Sequence, residues 1–254
     1  MQYLNILAVQ ADLLWENAEG NLRHLDHLLA DRNDIDVIVL PEMFATGFTM
    51  KPEKQAQTMQ GEAVQWMCRQ SEGRAVCGSL SIEDQGQYYN RFIWAEHGEV
   101  KYTYDKRHLF GYGNEPKHYT AGEQLLIFEY KGWKIQPFVC YDLRFPVWCR
   151  NTTGVDFQIY VANWPQVRIA AWEKLLQARA IENQCYVIGV NRVGEDGNGI
   201  YHNGNSLLCS ARGDVMWKSE QEEAAVVLKL DKSPLLDFRA QFPVLNDRDG
   251  FSLL

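Results

Sequence analysis

Apolar strand-like runs alternate with helical stretches along this chain, and that alternation limits the folds it can adopt. We expect helices at 18–30, 62–70 and 169–183. The first carries leucines at helical spacing, and the last carries Leu175, Leu176 and Ala180 on adjoining turns. This order predicts an α/β fold in which helices pack on sheets. The expected strands lie at 4–10, 37–40, 75–82, 89–96, 100–104, 125–130, 134–139, 157–161, 186–190, 206–209 and 224–230.

Length, charge and the amino terminus restrict the class of protein. The chain has 254 residues and no Pro/Gly/Ser-rich linker, so we expect one domain over 1–254. No apolar run approaches the roughly 20 residues that cross a bilayer. Residues 1–7 are typical of a first strand rather than of a signal peptide, so we expect a cytoplasmic protein with no membrane partner. The formal net charge of −8 repels phosphate backbones and argues against nucleic acid as a partner.

The cysteine pattern does not predict a metal site. No two cysteines have C-x-x-C spacing and none is closely followed by a pair of histidines, so we expect no zinc site. In a reducing compartment the cysteines should be free thiols, and those within apolar runs should act as small core residues. The six are Cys68, Cys77, Cys140, Cys149, Cys185 and Cys209.

Three strand-like runs end at residues that can carry chemistry. Glu42 follows the run 37–40, Lys106 follows the run 100–104, and Cys140 follows the run 134–139. Open α/β sheets place their active sites at the carboxyl ends of strands. A carboxylate, an ammonium and a thiol that meet at one such edge suffice for acyl transfer through a thioester.

The nucleophile needs a partner, because a thiol attacks as thiolate and its ordinary pKa is ~8.5. Glu42 can take the thiol proton and later deliver it to departing ammonia. Lys106 would keep Glu42 ionised and, with the backbone N–H of Tyr141, stabilise the oxyanion of a tetrahedral intermediate. A Cys–His hydrolase is the alternative. In that case His108 or His118, in the long loop 107–122, would be the base.

Five ordered segments together resemble the nitrilase superfamily of carbon–nitrogen hydrolases, and within it the omega-amidases. Three contain the candidate catalytic residues: LPEMF at 40–44, YDKRHLF at 104–110 and VCYDLRFP at 139–146. The resemblance continues through ANWP at 162–165 and ARAIEN at 178–183, and so spans nearly the whole chain.

The resemblance implies a fold, an assembly and a set of catalytic residues. The implied fold is an αββα sandwich with two central mixed sheets flanked by helices, paired into a homodimer through a helix–helix contact. Glu42, Lys106 and Cys140 would be the catalytic triad. A second glutamate of the family, which positions the substrate and the lysine, matches Glu115 in the loop 107–122.

Several residues near these segments could contact a substrate. Arg144 either binds a substrate carboxylate through its planar guanidinium or holds the turn after the nucleophile. We expect a structural role for Asp142 in that turn. Trp164 and Phe44 follow strand ends, where each either lines the pocket or packs in the core.

By resemblance, the substrate is a small-molecule amide that bears a carboxylate, such as 2-oxoglutaramate, and no cofactor is needed. A nitrilase or a carbamoyl-amine hydrolase would use the same triad and stays an alternative within the enzymes. A non-catalytic interaction module is the alternative outside them, although the intact triad argues against it.

Overall fold

The computed structural model describes residues 2–30 and 32–250. Its helices are α1 (Ala18–Leu29), α2 (Pro52–Gln55), α3 (Glu62–Gln70), α4 (Ile169–Asn183) and α5 (Lys232–Gln241). Its strands are β1 (Tyr3–Gln10), β2 (Val37–Val39), β3 (Ala75–Asp84), β4 (Gln87–Glu96), β5 (Glu99–Asp105), β6 (Phe128–Tyr130), β7 (Trp133–Val139), β8 (Phe157–Ala162), β9 (Tyr186–Asn191), β10 (Val193–Glu195), β11 (Tyr201–Asn203), β12 (Leu207–Cys209), β13 (Val215–Lys218) and β14 (Ala224–Asp231).

Most strands belong to two mixed sheets. Within the described residues, the first sheet has the order β14-β1-β2-β3-β4-β5 and the second has the order β13-β12-β9-β8-β7-β6. Strands β1, β2 and β3 run parallel in the first sheet, as do β7, β8 and β9 in the second. The other neighbours within each sheet pair antiparallel, and β10 and β11 form a separate ribbon.

The two sheets pack face to face with helices on their outer sides. Alternate residues of β1 show this arrangement, because side chains of a strand point to opposite faces. Leu4 and Ile6 lie in the core between the sheets, whereas Leu7 and Val9 lie in the core beneath α1 and α3. On the far side, Leu176 of α4 is fully buried against the second sheet. The predicted αββα sandwich is confirmed.

Most predicted elements form within a few residues of their expected bounds, and α3 and α4 have the bounds predicted. The strand expected at 125–130 is shorter, since β6 covers only Phe128–Tyr130. The helices α2 and α5 and the short strands β10, β11 and β13 were not predicted. No helix among the described residues combines the length and apolar character needed to cross a bilayer.

Candidate active site

A cavity of about 200 Å³ opens at the strand ends that the sequence singled out. Glu42, Lys106 and Cys140 line it together, as do aromatic side chains and two arginines. Across 2–30 and 32–250, no three His, Cys, Asp or Glu side chains gather in a way that could hold a metal ion. Besides Lys106, the aromatic and basic residues of the lining are Phe48, Phe110, Tyr112, Tyr141, Trp164, Arg144, Arg168 and His202.

Glu42 is a fully buried carboxylate whose two oxygens both accept hydrogen bonds. It lies three residues after the end of β2. Its Oε1 accepts from Lys106 Nζ at 2.9 Å and from Asn90 Nδ2 at 2.8 Å. Its Oε2 accepts from the backbone N–H of Asn163 at 2.8 Å, at the end of β8. A buried charge is tolerated when it is paired in this way, so both sheets contribute to holding this carboxylate.

Lys106 follows β5 and is also fully buried. Its Nζ lies 2.9 Å from Glu42 Oε1 and 2.9 Å from Glu115 Oε2, and 5.0 Å from the centre of the Phe48 ring. Burial alone would lower the pKa of this lysine, but the charges of Glu115 and Glu42 outweigh burial and raise its pKa. Lys106 is therefore an ammonium.

Glu115 joins the cluster from the long loop 107–122, where it begins a 3₁₀ turn. It is fully buried, and its carboxylate accepts bonds from Lys106 Nζ, from Asn90 Nδ2 at 3.1 Å and from the backbone N–H of Phe110. Burial raises the pKa of Glu115, Lys106 lowers it and Glu42 raises it again, with a net upward shift. One ammonium therefore serves two carboxylates.

Cys140 lies where β7 ends and a 3₁₀ turn begins. Its backbone has φ +44°, a left-handed conformation that is uncommon for a residue with a side chain and that clusters at functional sites. Burial raises the pKa of the thiol well above its usual value, and the charge of Glu42 and a hydrogen bond to it add to the shift, against the opposing charge of Lys106. Cys140 at rest is therefore a neutral thiol beside Glu42.

Asp142 holds the turn after Cys140, as its predicted structural role requires. Its fully buried carboxylate accepts from Tyr104 Oη at 2.7 Å and from the backbone N–H of Val139 at 3.1 Å. It also accepts the backbone N–H of His108 and lies 2.9 Å from His108 Nδ1. His108 thus pairs with Asp142 instead of Cys140, and His118 is exposed on the loop. The structure brings neither histidine to the cavity lining.

The predicted substrate-contacting residues divide into two groups. Arg144 and Trp164 both line the cavity, and the guanidinium carbon of Arg144 lies 5.0 Å from the centre of the Trp164 ring. Phe44 does not line it: its ring is fully buried in the core and packs against Trp66 at a centroid distance of 5.8 Å. The placement of Phe44 in the pocket is therefore corrected, and Phe48 supplies an aromatic wall instead.

Two asparagines of the site were missed. Asn90 lies within β4 and donates to both Glu42 and Glu115. Asn163 fixes Glu42 twice, because its side chain also donates to the Glu42 carbonyl oxygen at 2.6 Å. Asparagine is depleted in strands, so Asn90 inside the predicted strand 89–96 was the available signal that a buried polar partner lies nearby.

The chain is similar in sequence to known carbon–nitrogen hydrolases. A family model described as carbon-nitrogen hydrolase matches residues 6–233. The chain is 42% identical to the omega-amidase YafV of Escherichia coli K12 over the full length of both chains. It is 30% identical to the 2-oxoglutaramate amidase of Bacillus subtilis, over 95% of this chain and 96% of that protein.

A solved structure extends the likeness to three dimensions. XC1258 from Xanthomonas campestris, a CN-hydrolase superfamily protein with an arsenic adduct in its active site, is 40% identical and has a TM-score of 0.97 over the full length of both chains. Saccharomyces cerevisiae Nit3, a member of the nitrilase superfamily, shares the fold at 22% identity, with a TM-score of 0.86 over 96% of this chain and 95% of its own. The chain therefore belongs to the carbon-nitrogen hydrolase family and is a hydrolase of carbon–nitrogen bonds other than peptide bonds.

Proposed function

We propose that this chain is an amidase that releases ammonia from the terminal amide of a small dicarboxylic acid monoamide. The proposed substrate is 2-oxoglutaramate, and the acid product is 2-oxoglutarate. The single observation that carries the proposal is the buried group of two carboxylates and one ammonium beside the Cys140 thiol. The relatives named omega-amidase and 2-oxoglutaramate amidase support the choice of substrate.

In the first half of the reaction, Cys140 Sγ attacks the amide carbon while its proton passes to Glu42. Because the pKa of the thiol is raised by burial and by Glu42, the proton leaves during the attack and not before it. The new S–C bond converts the carbonyl oxygen into an oxyanion. Glu42 then gives its proton to the amide nitrogen, the C–N bond breaks, and ammonia departs from a thioester.

In the second half, water attacks the thioester carbon and Glu42 accepts a proton from that water. The C–S bond of the tetrahedral intermediate breaks, and the sulfur takes the proton back from Glu42. The acid is released and the neutral thiol is restored. Glu42 therefore acts alternately as base and acid, which suits a carboxylate held by hydrogen bonds from both sheets.

The developing oxyanion is stabilised by Lys106 Nζ and by the backbone N–H of Tyr141. Lys106 carries a full positive charge that Glu115 and Glu42 hold in place. Tyr141 stands in the first turn of the 3₁₀ helix that Cys140 begins, where backbone N–H groups have no partner within the helix. Donors that meet the charge of the transition state contribute about 10²- to 10³-fold each to kcat.

Arg144 and Trp164 form the proposed contact with the rest of the substrate. The guanidinium of Arg144 lies over the Trp164 ring and lines the same cavity as the thiol. A guanidinium can bind a carboxylate through two parallel hydrogen bonds. In this arrangement the substrate carboxylate meets Arg144 while its amide carbon meets Cys140.

The test is the Cys140→Ala variant, with Cys68→Ala as the matched control. Cys68 is a partly buried thiol of α3 that does not line the cavity. Ammonia release from 2-oxoglutaramate should disappear in Cys140→Ala and persist in Cys68→Ala, while both keep the wild-type circular dichroism spectrum. Turnover by Cys140→Ala would reject the mechanism.

A second readout tests the thioester itself. Hydroxylamine added during turnover should capture the acyl group as a hydroxamate, and absence of hydroxamate at saturating hydroxylamine would argue against an acyl-enzyme. The homodimer and the cytoplasmic location stay predictions. A mass in solution equal to that of one chain would contradict the former.

A further inference from the structure

Arg168 is a second arginine of the catalytic cavity, and the mechanism above does not use it. It ends the 3₁₀ turn Gln166–Arg168, directly before α4. Its guanidinium carbon lies 5.3 Å from the centre of the Phe110 ring and 5.8 Å from that of Tyr112. Both rings line the cavity, and the Arg168 side chain is partly exposed there.

The charge of this arginine is not neutralised by the protein. In the described part of the chain, no carboxylate or carbonyl accepts a hydrogen bond from the side chain of Arg168 or Arg144, although acidic residues outnumber basic ones by 33 to 25. Arg91 and Arg239, by contrast, each pair with an aspartate. Of the two acids in the cavity lining, Glu42 pairs with Lys106, and Asp196 accepts backbone N–H groups of its own turn.

Acidic groups prevail at the other end of the cavity, beside Cys140. Two buried acidic side chains share the single ammonium of Lys106 there, and the Cys140 thiol is neutral, so acidic groups outnumber the cation at this end of the cavity. A carboxylate on the substrate would be repelled from that end of the cavity and attracted to the two guanidiniums. A carboxylate has about four acceptor positions, which is enough for two guanidinium groups at once.

We propose that Arg168 is a specificity-determining residue that binds the substrate carboxylate together with Arg144. This inference rests on the proposed amidase function and deepens it, because it names the second of two groups that select an acid amide over a neutral amide. The aromatic faces under both guanidiniums hold their planes in place, so less side-chain freedom is lost when the carboxylate binds.

The experiment compares two substrates that differ only in the group facing the arginines. Succinamate carries an amide and a carboxylate, and succinamide replaces the carboxylate by a neutral amide of the same shape. In Arg168→Gln, the ratio of kcat/KM for succinamate to that for succinamide should fall about 10- to 100-fold, mainly through KM, since hydrogen bonds to charged groups contribute on that scale. Arg168→Lys should recover part of the ratio, because it restores the charge but not the planar fork.

Arg212→Gln is the matched control. The guanidinium carbon of Arg212 also lies over a ring, that of Phe238 at 4.0 Å, but the residue is exposed outside the cavity, so its variant should keep the wild-type ratio. A purely structural Arg168 would change both substrates alike, and an unchanged ratio in Arg168→Gln would overturn the inference while the amidase function stands. A wild-type enzyme that releases ammonia from neither succinamate nor 2-oxoglutaramate would overturn both.

Discussion

Glu115→Gln is the substitution that most directly tests how the buried charge cluster works. The carboxylate accepts from three donors: Lys106 Nζ at 3.1 and 2.9 Å to its two oxygens, Asn90 Nδ2 at 3.1 Å, and the backbone N–H of Phe110. A glutamine amide has one acceptor oxygen in place of two. Its NH₂ group would therefore face either Asn90 or Phe110, both of which are donors.

The size of the effect follows from this count. One buried donor left without a partner costs about 1–3 kcal/mol, and replacing a charge-assisted bond to Lys106 by a neutral one costs about 1 kcal/mol more. We therefore expect the free energy of unfolding to fall by roughly 2–4 kcal/mol. Lys106 keeps its bond to Glu42 at 2.9 Å, so the ammonium stays paired but loses its second anchor. Misplacement of a catalytic group by ~1 Å can cost about 100-fold in kcat.

The assay is urea unfolding together with ammonia release at saturating substrate. Glu62→Gln is the control, because Glu62 is an exposed glutamate of α3 that pairs with Arg69 at the surface. That change should alter the free energy of unfolding by less than about 0.5 kcal/mol. If Glu115→Gln matches the control in stability and keeps kcat within about threefold, the reasoning from donor count is refuted.

The Glu115→Gln variant should hydrolyse the amide more slowly but make the Cys140 thiol more reactive towards alkylation. Burial and the charge of Glu42 raise the pKa of Cys140, and the charge of Glu115 raises it further. Removing that charge should lower the pKa of the thiol. Alkylation of Cys140 by iodoacetamide near neutral pH should then be faster in Glu115→Gln than in the wild type, although amide hydrolysis is slower. Slower alkylation would show that Glu115 does not act on the thiol through its charge.

Two further predictions concern the free energy of unfolding, measured with urea. Gly122→Ala places a Cβ 2.1 Å from the carbonyl oxygen of Asp105, so its free energy of unfolding should fall by about 1–3 kcal/mol or more. In the control Gly111→Ala, the added Cβ meets no atom within 4 Å, and the free energy of unfolding should change little. Equal losses in the two variants would refute the close-contact argument. Burial, helped by the charge of Arg192, lowers the pKa of His202 to about 4 from an ordinary 6.5. The unfolded chain therefore binds the proton first as the pH falls, and this group's contribution of about 3 kcal/mol, present above pH 6.5, is lost as the pH falls towards 4. His202→Gln should remove that part of the pH dependence, and an unchanged profile would contradict it.

The fold was predictable where apolar periodicity and burial coincide. In α4, Trp172, Leu176 and Ala180 repeat at helical spacing and are all fully buried, and the helix has the predicted bounds. In α5, only Leu235 is buried, so the segment lacks a stripe that sequence periodicity could reveal. It forms next to the Asp231 cap, whose side chain accepts the backbone N–H of Ser233. The formation of α5 therefore depends on local capping and tertiary contacts more than on the spacing of its apolar residues.

The candidate site was predictable at strand ends and less so in loops. The position of Cys140 directly after β7 follows from the apolar run before it. Phe44 and Phe48 could not be told apart in the same way, because the chain reverses direction between strand and loop. Met43 has φ +44° and Gly47 has φ +73°, and these left-handed residues turn Phe44 into the core and leave Phe48 to the cavity. The spacing of residues along the sequence does not predict those two left-handed positions.

A neutral Cys140 thiol beside Glu42 favours a mechanism in which the thiol loses its proton during the attack on the substrate and not before it. A cavity that held Cys140 as a thiolate at rest would place a third negative charge beside Glu42 and Glu115, with Lys106 as the single cation of the group. The raised pKa of the thiol avoids that crowding. In the proposed mechanism the thiol proton passes to Glu42 as the substrate carbonyl is attacked. The negative charge that Glu42 loses then appears on the carbonyl oxygen, towards Lys106. The cluster therefore opposes ionisation of the free enzyme but accommodates the charge of the tetrahedral intermediate, which is the differential stabilisation that catalysis requires.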